Sequence, residues 1–365
     1  VTIFFTFWGL NAIKKLNKPA VKKDFFGKMF GMMLPSNSLK LKLSKMNMGG
    51  MGSRMMRYIM NKKKYVNRNY LTTTRIIALG FLITVIVGTI LLSLPIASAN
   101  GTWTDLLTAA FTSTTSVCVT GLVVVDTFSY WSLFGKGVIL ILIQIGGLGI
   151  VSIITLFMLL FRMKITLKST MLLQDAFNLN SKQGLLKFTI KVIKGTFLIE
   201  GIGAFIYSFY YCREYGLLKG IWFSVFHAVS AFCNAGLDIM GADSLIPYHS
   251  NLLMMLNTSF LIIMGGIGFI VWWDTVEAFR RIRTKKCSIR SAWNGVHLQT
   301  KIAIFMTLLL LIGGTVVIYF LERSNPDTLG NLSEKDRILN AFFQSVTLRT
   351  AGFAAVPQAA LRPVT

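Results

Sequence analysis

Charge is scarce in this sequence. Asp, Glu, Lys and Arg make up 14% of its 365 residues, and only 14 of these are acidic; an average soluble protein carries about 25%. A soluble domain cannot cover its surface with so few charges. Cysteine is sparse too. Cys118, Cys212, Cys233 and Cys287 lie far apart with no C-x-x-C pair, which excludes a disulfide-stapled secreted domain. The three histidines, His227, His249 and His297, are scattered without zinc-ligand spacing. What is abundant is apolar: 53% of residues are hydrophobic, and the mean hydropathy is +0.61. This composition excludes a disordered chain and defines an integral membrane protein.

The net charge of +24 does not point to nucleic acid. Residues 1–70 hold 15 Lys/Arg and one acid, Asp24. The later basic residues cluster beside apolar stretches, as the positive-inside bias of membrane proteins requires. Five stretches approach the ~20 residues that cross a bilayer: about 76–94, 138–161, 190–211, 252–273 and 302–321. Basic clusters precede the first and third and follow the second and fourth, for example Lys62, Lys63 and Lys64, then Arg280, Arg281 and Arg283. The intervening segments carry Asp105, Asp126, Asp238, Asp243 and Asp327. This pattern predicts out-and-back hairpins in the cell membrane, with the N-terminus cytoplasmic.

The chain repeats itself. The segments AFTSTTSVCVTGL, VFHAVSAFCNAGL and AFFQSVTLRTAGF align on Gly121, Gly236 and Gly352, spaced 115 and 116 residues apart. Phe111, Phe226 and Phe342 stand ten positions before each glycine, and Thr120, Ala235 and Ala351 immediately before it. Two following stretches also match, Gly146-Gly147-Leu148-Gly149-Ile150 with Gly265-Gly266-Ile267-Gly268-Phe269. Each repeat therefore reads as a membrane span, a short helix, a glycine-bearing loop and a second span. Asp105 and the run Ser333-Glu334-Lys335-Asp336 suit helix N-termini. The short helices, expected at ~10–13 residues, cannot span and read as re-entrant segments.

Irregular backbone at membrane depth is tolerated only where it is buried in protein or lines a watery cavity. Converging loops of this kind make a ring of carbonyl oxygens able to replace the hydration shell of a monovalent cation. Glycine permits the positive φ and the close approach that this needs. These segments resemble the Trk/Ktr/HKT superfamily of potassium transporters, and residues from about 60 to 365 resemble the membrane subunit of a bacterial Ktr-type potassium uptake system. The resemblance implies an all-α membrane fold of M1–pore helix–M2 repeats, with domains at 60–175, 176–290 and 291–365. It implies a selectivity filter at Val119, Thr120 and Gly121, at Asn234, Ala235 and Gly236, and at Thr350, Ala351 and Gly352, with Cys118, Cys233, Asp238 and Arg349 close to the pore.

The resemblance also implies K+ as the transported ion, with Na+ coupling open, no cofactor bound by this chain and no metal beyond the transported ion. The implied partners are the lipid membrane, a second copy in a homodimer and a cytosolic nucleotide-binding regulatory subunit; nucleic acid is not among them. The family has four repeats, whereas this sequence reaches only the third glycine loop. About two and a half repeats are expected here, and so is an inactive pore if the chain is truly truncated.

Residues 1–59 differ in composition, and TIFFTFWGLNAIKK with KMNMGGMGSRMM resembles the C-terminal part of a DsrE/DsrF-type sulfur-relay domain. The segment has no cysteine, so an enzymatic reading has no nucleophile. A basic tail on the anionic inner leaflet is the alternative. Met60 is a plausible natural start, and the whole reads as a composite. Two other functions stay open at this point: a membrane-anchored sulfur-relay protein, and a non-conducting structural subunit.

Several single residues carry paired expectations. Glu200 lies midway along the third span, paired with a neighbouring helix or touching the ion. Arg349 either anchors its loop or tunes the pore mouth. Asn234 and Asp238 either face the outer vestibule or cap the loop. The two Gly-Gly runs are expected to pack helices closely, and Cys118 and Cys233 to pack behind the filter.

Overall fold

A computed structural model describes residues 73–149, 152, 153, 155, 185–241, 243–285 and 288–365. Residues Ile76–Thr365 form one compact unit. The expectations for residues 1–59 and for Cys287, and most of 150–161, fall outside the described residues.

The regular elements among the described residues are helices, beside one isolated antiparallel bridge between Ser98 and Trp131. In chain order they form α1 (Thr73–Ser93), α2 (Leu106–Cys118), α3 (Thr127–Tyr130), α4 (Leu133–Leu148), α5 (Leu185–Tyr215), α6 (Leu217–Cys233), α7 (Leu252–Gly266), α8 (Phe269–Lys285), α9 (Ile289–Asn294), α10 (Leu298–Glu322) and α11 (Glu334–Thr350). Three are long and apolar enough to cross a membrane, over Arg75–Ser93, Lys187–Tyr215 and Leu298–Glu322. Most of α1 and α10 is left unburied by the chain itself, and Ile83, Ile90, Phe305 and Ile312 stand more than half exposed. In water such faces would aggregate; in hydrocarbon they meet a solvent of their own polarity.

Because lipid is as apolar as leucine, close packing and hydrogen bonds must hold the helices together. The Ser113 hydroxyl of α2 donates to the Val85 carbonyl of α1 at 2.8 Å, and Ser345 of α11 donates to Leu311 of α10 at 2.9 Å. In both places a glycine one turn on makes room. A Cβ on Gly88 or on Gly314 would overlap the same serine hydroxyl. In the second repeat Tyr207 bonds Thr258 at 2.7 Å, and the Asn257 amide donates to the Gly203 carbonyl at 3.1 Å. The core gathers around α6 and α11, where Phe226, Phe343 and Phe353 are fully buried.

The short helices start where the sequence marks them. Asp105 caps α2 by accepting from the Leu107 N–H at 3.1 Å. Ser333 caps α11 by accepting from the Asp336 N–H at 3.3 Å. Their lengths depart from expectation, since α2 has 13 residues but α6 and α11 have 17 each.

The expected span 252–273 is not a single straight helix. It breaks between α7 and α8, which meet at 101°. The break falls at Gly266-Ile267-Gly268, where Gly268 takes φ 96°. The Trp272 indole donates to the Met264 carbonyl across the corner at 2.9 Å. Alone, α7 has 15 residues, or roughly 22 Å at about 1.5 Å per residue, which is short of a ~30 Å hydrocarbon core.

Candidate functional site

The three aligned glycines sit just beyond the C-terminal ends of α2, α6 and α11. All three have positive φ: 73° at Gly121, 65° at Gly236 and 94° at Gly352. Their loops converge. A Cβ on Gly121 would lie 2.8 Å from the Ala235 carbonyl oxygen and 3.3 Å from that of Ala351. A Cβ on Gly236 would overlap the Ala351 carbonyl oxygen and lie 3.2 Å from the Gly352 Cα. At Gly121 and Gly236 only a residue without a side chain allows this approach, whereas at Gly352 a Cβ would find room, 3.9 Å from the Gly236 Cα, and it is the positive φ that favours glycine.

The backbone turns each loop in a defined sense. The Thr120 N–H donates back to the Thr115 carbonyl at 3.0 Å, Ala235 N–H to Ser230 at 2.8 Å, and Gly352 N–H to Thr347 at 3.3 Å. In a trans peptide the carbonyl points opposite to the N–H. The carbonyls of Val119, Asn234 and Ala351 are therefore turned away from their own helices. Each helix also directs its C-terminal partial negative charge, equivalent to roughly half an electron, at these loops.

Two features were not legible beforehand. Val119 and Asn234, two residues before their glycines, also take positive φ, 55° and 60°. For asparagine that is a familiar helix end. For the β-branched Val119 it is strain, a condition that clusters at functional sites. The third loop differs, because α11 continues through Thr350 and Ala351 caps it at φ −105°.

The Gly-Gly runs pack as expected, and each serves two neighbours. A Cβ on Gly146 would overlap the Val117 carbonyl oxygen, and one on Gly265 that of Phe232; these carbonyls stand four positions before Gly121 and Gly236. The second glycine of each pair meets the next repeat. A Cβ on Gly147 would overlap Cys233 Sγ, and one on Gly266 would come within 3.0 Å of Arg349 Nη2. Cys233 and Arg349 occupy matching positions, three before their glycines.

Cys118 occupies that position in the first repeat and is exposed among the described residues. Cys233 is buried as expected, with its thiol 3.9 Å from a Glu200 oxygen.

Glu200 is paired. It is 4% exposed and accepts two hydrogen bonds from the Gln144 amide, at 3.1 and 3.2 Å. The contact ties α5 to α4 directly behind the end of α6. Gln144 escaped sequence reasoning because nothing marks one amide in an apolar helix. Glu200→Ala leaves that amide unsatisfied, at a cost of about 1–3 kcal/mol, so the detergent-purified protein should unfold at a lower temperature. Glu200→Gln, which keeps an acceptor, should lose less; equal midpoints in a thermal unfolding scan would remove this role.

Asn234 serves the loop itself. With its amide oriented to satisfy both groups, it donates to the Ile262 carbonyl at 3.1 Å and accepts from the Gly266 N–H at 3.2 Å. Asp238 accepts from the Met240 N–H at 3.3 Å; burial, partly offset by a Ser244 hydrogen bond, pushes its carboxyl up to about 6. Arg349 is half-buried and, among the described residues, donates no hydrogen bond to its loop.

Taken together, long lipid-facing helices and shorter ones that end in converging glycine loops define a multi-pass α-helical membrane protein of the transporter class. Residues 52–365 match the TrkH family of cation transport proteins, and the chain belongs to that family, which is one of transporters and not of enzymes. The potassium/sodium uptake protein NtpJ of Enterococcus hirae is 40% identical over 289 residues, 79% of this chain and 61% of that protein. The Ktr system potassium uptake protein B of Bacillus subtilis is 37% identical over 304 residues, 83% of this chain and 65% of that protein. The chain thus spans less than two thirds of the length of either relative. Residues 1–74 match the DsrE/DsrF/DrsH-like family, and the uncharacterized protein YrkE of Bacillus subtilis is 47% identical over 80 residues, 22% of this chain and 47% of that protein.

Proposed function

We propose that this chain moves potassium across the cell membrane through a path lined by the backbone carbonyls of its glycine loops, as part of the membrane subunit of a Ktr-type uptake system. The observation that carries this reading is the approach of the Gly121, Gly236 and Gly352 backbones, with the Ala235 and Ala351 carbonyl oxygens between them. Carbonyls replace the hydration shell of a monovalent cation without a fixed charge. In this reading the filter is Val119–Gly121, Asn234–Gly236 and Thr350–Gly352, within repeats at 60–175, 176–290 and 291–365. The N-terminus is cytoplasmic, and the partners are a second copy of the chain and a cytosolic nucleotide-binding regulatory subunit. Whether sodium is co-transported is an outcome of the test. The complete gene product should restore growth of an uptake-deficient bacterium at low potassium and accumulate rubidium. Normal membrane abundance without rubidium uptake would overturn the proposal.

The segment 1–59 is proposed to be dispensable for transport, since it shares no period with the repeats. Its deletion should leave rubidium flux per molecule unchanged; a large loss at equal abundance would contradict this.

Asp238 lies two residues beyond Gly236, at the proposed outer mouth. Its carboxyl, raised to about 6 by burial, is ionised above that pH and neutral below it. The negative charge favours cation entry, so uptake should fall as external pH drops through about 6. Asp238→Asn should remove that step in the pH profile, and an unchanged profile would exclude Asp238 as its source.

A further inference from the structure

Hydroxyl side chains in helices ordinarily bond back to the carbonyl four residues earlier. Thr114, Ser116 and Ser224 do this, donating to Ala110, Thr112 and Gly220. Three others, in the last turns of the short helices, reach forward instead. Thr115 Oγ1 accepts from the Leu122 N–H at 3.0 Å, Ser230 donates to the Leu237 carbonyl, and Thr347 donates to the Phe353 carbonyl at 2.9 Å. The three partners are equivalent residues, each immediately after an aligned glycine. All three hydroxyls are buried, with exposures of 3% or less, so water does not compete for them.

We propose that Thr115, Ser230 and Thr347 are positioning residues that set ion selectivity by fixing the outer limit of the carbonyl-lined path. The inference rests on the transport reading above. The bonds act on opposite sides of the peptide. In the first loop the hydroxyl holds the Leu122 N–H, and since a trans peptide opposes N–H and C=O, it holds the Gly121 carbonyl turned away from α2. A second contact, Thr115 Oγ1 to Thr120 Oγ1 at 2.6 Å, braces the same loop. In the other two loops the hydroxyl holds the carbonyl of Leu237 or Phe353 against its own helix, which withdraws that oxygen from the path. The first loop thus supplies a carbonyl at its glycine, and the second and third stop supplying one just beyond theirs. Without these bonds the peptides are free to rotate, and a ring whose oxygens can relax inward accommodates the smaller sodium ion.

The test uses the complete gene product carrying Thr115→Val, Ser230→Ala or Thr347→Val, which delete the hydroxyl with little change of volume. The serine forms Thr115→Ser and Thr347→Ser keep it. Rubidium and sodium uptake are compared at matched membrane abundance. Each deletion should lower the rubidium-to-sodium ratio about three- to tenfold, the size of one net hydrogen bond, while the serine forms keep the parental ratio. The ratio is independent of how much protein accumulates, and Ser230→Ala, the smallest change, preserves the test if a valine blocks assembly. An unchanged ratio in the deletions, with only abundance reduced, would overturn the proposal and leave the hydroxyls a purely structural role. A parent that carries no rubidium would overturn the transport reading and this inference with it.

Discussion

Gly236→Ser is expected to remove most of the preference for potassium over sodium, with measurable residual flux. Gly236 has φ 65°, a conformation that costs a residue with a side chain about 1–3 kcal/mol. A Cβ there would also overlap the Ala351 carbonyl oxygen, one of the oxygens proposed to line the path. The loop must shift to relieve the overlap, and that oxygen shifts with it. A change of ~1.4 kcal/mol in relative ion binding is tenfold, so a fall of about tenfold or more in the rubidium-to-sodium ratio is expected. Gly121→Ser should act in the same direction, since its Cβ would meet the Ala235 oxygen at 2.8 Å. Gly88 is a poor control: although mid-helix, it is packed against Ser113 and Leu142. Gly313, with nothing near its would-be Cβ, is the better one, and Gly313→Ala should keep both ratio and flux. Equal ratios in Gly236→Ser and Gly313→Ala would remove Gly236 from the filter.

Gly265→Ala is expected to prevent the folded protein from accumulating. The would-be Cβ overlaps the Phe232 carbonyl oxygen at the end of α6. Backbone cannot yield there as a flexible side chain could. The α6–α7 contact would have to open, and with it the Asn234 bonds to Ile262 and Gly266. Overpacking in a tight interior costs about 1–3 kcal/mol, and the lost hydrogen bonds add to it. Gly201→Ala, in α5 with open space around it, should accumulate normally. Detergent-stable protein, measured by size-exclusion chromatography of solubilised membranes, separates the two. A monodisperse Gly265→Ala protein at parental yield would show that the glycine is not a packing spacer.

Much of this was legible because lipid imposes simple rules. Long apolar runs gave α1, α5 and α10, and Asp105 and Ser333 marked two short-helix starts by their capping chemistry. The glycine alignment located three positive-φ residues in loops that are far apart in sequence. Other features depend on three-dimensional neighbours. Nothing in Val119 itself announces a left-handed conformation; it adopts one as the residue that caps the end of α2, with its N–H bonded to the Thr115 carbonyl. The 101° break after α7 looked like continuous span because Ile267 and Phe269 are as apolar as the helices they separate. The contacts of Gly147 with Cys233 and of Gly266 with Arg349 are relations between repeats that residue type does not reveal.

The most direct test of the central claim is the position of a bound ion. Crystals of the complete gene product grown in rubidium can be measured at the rubidium absorption edge. The account predicts an anomalous peak on the axis among the Gly121, Ala235 and Ala351 backbones, lost when sodium replaces rubidium. A protein that still transports rubidium but carries its anomalous peaks elsewhere, with none between these loops, would contradict it.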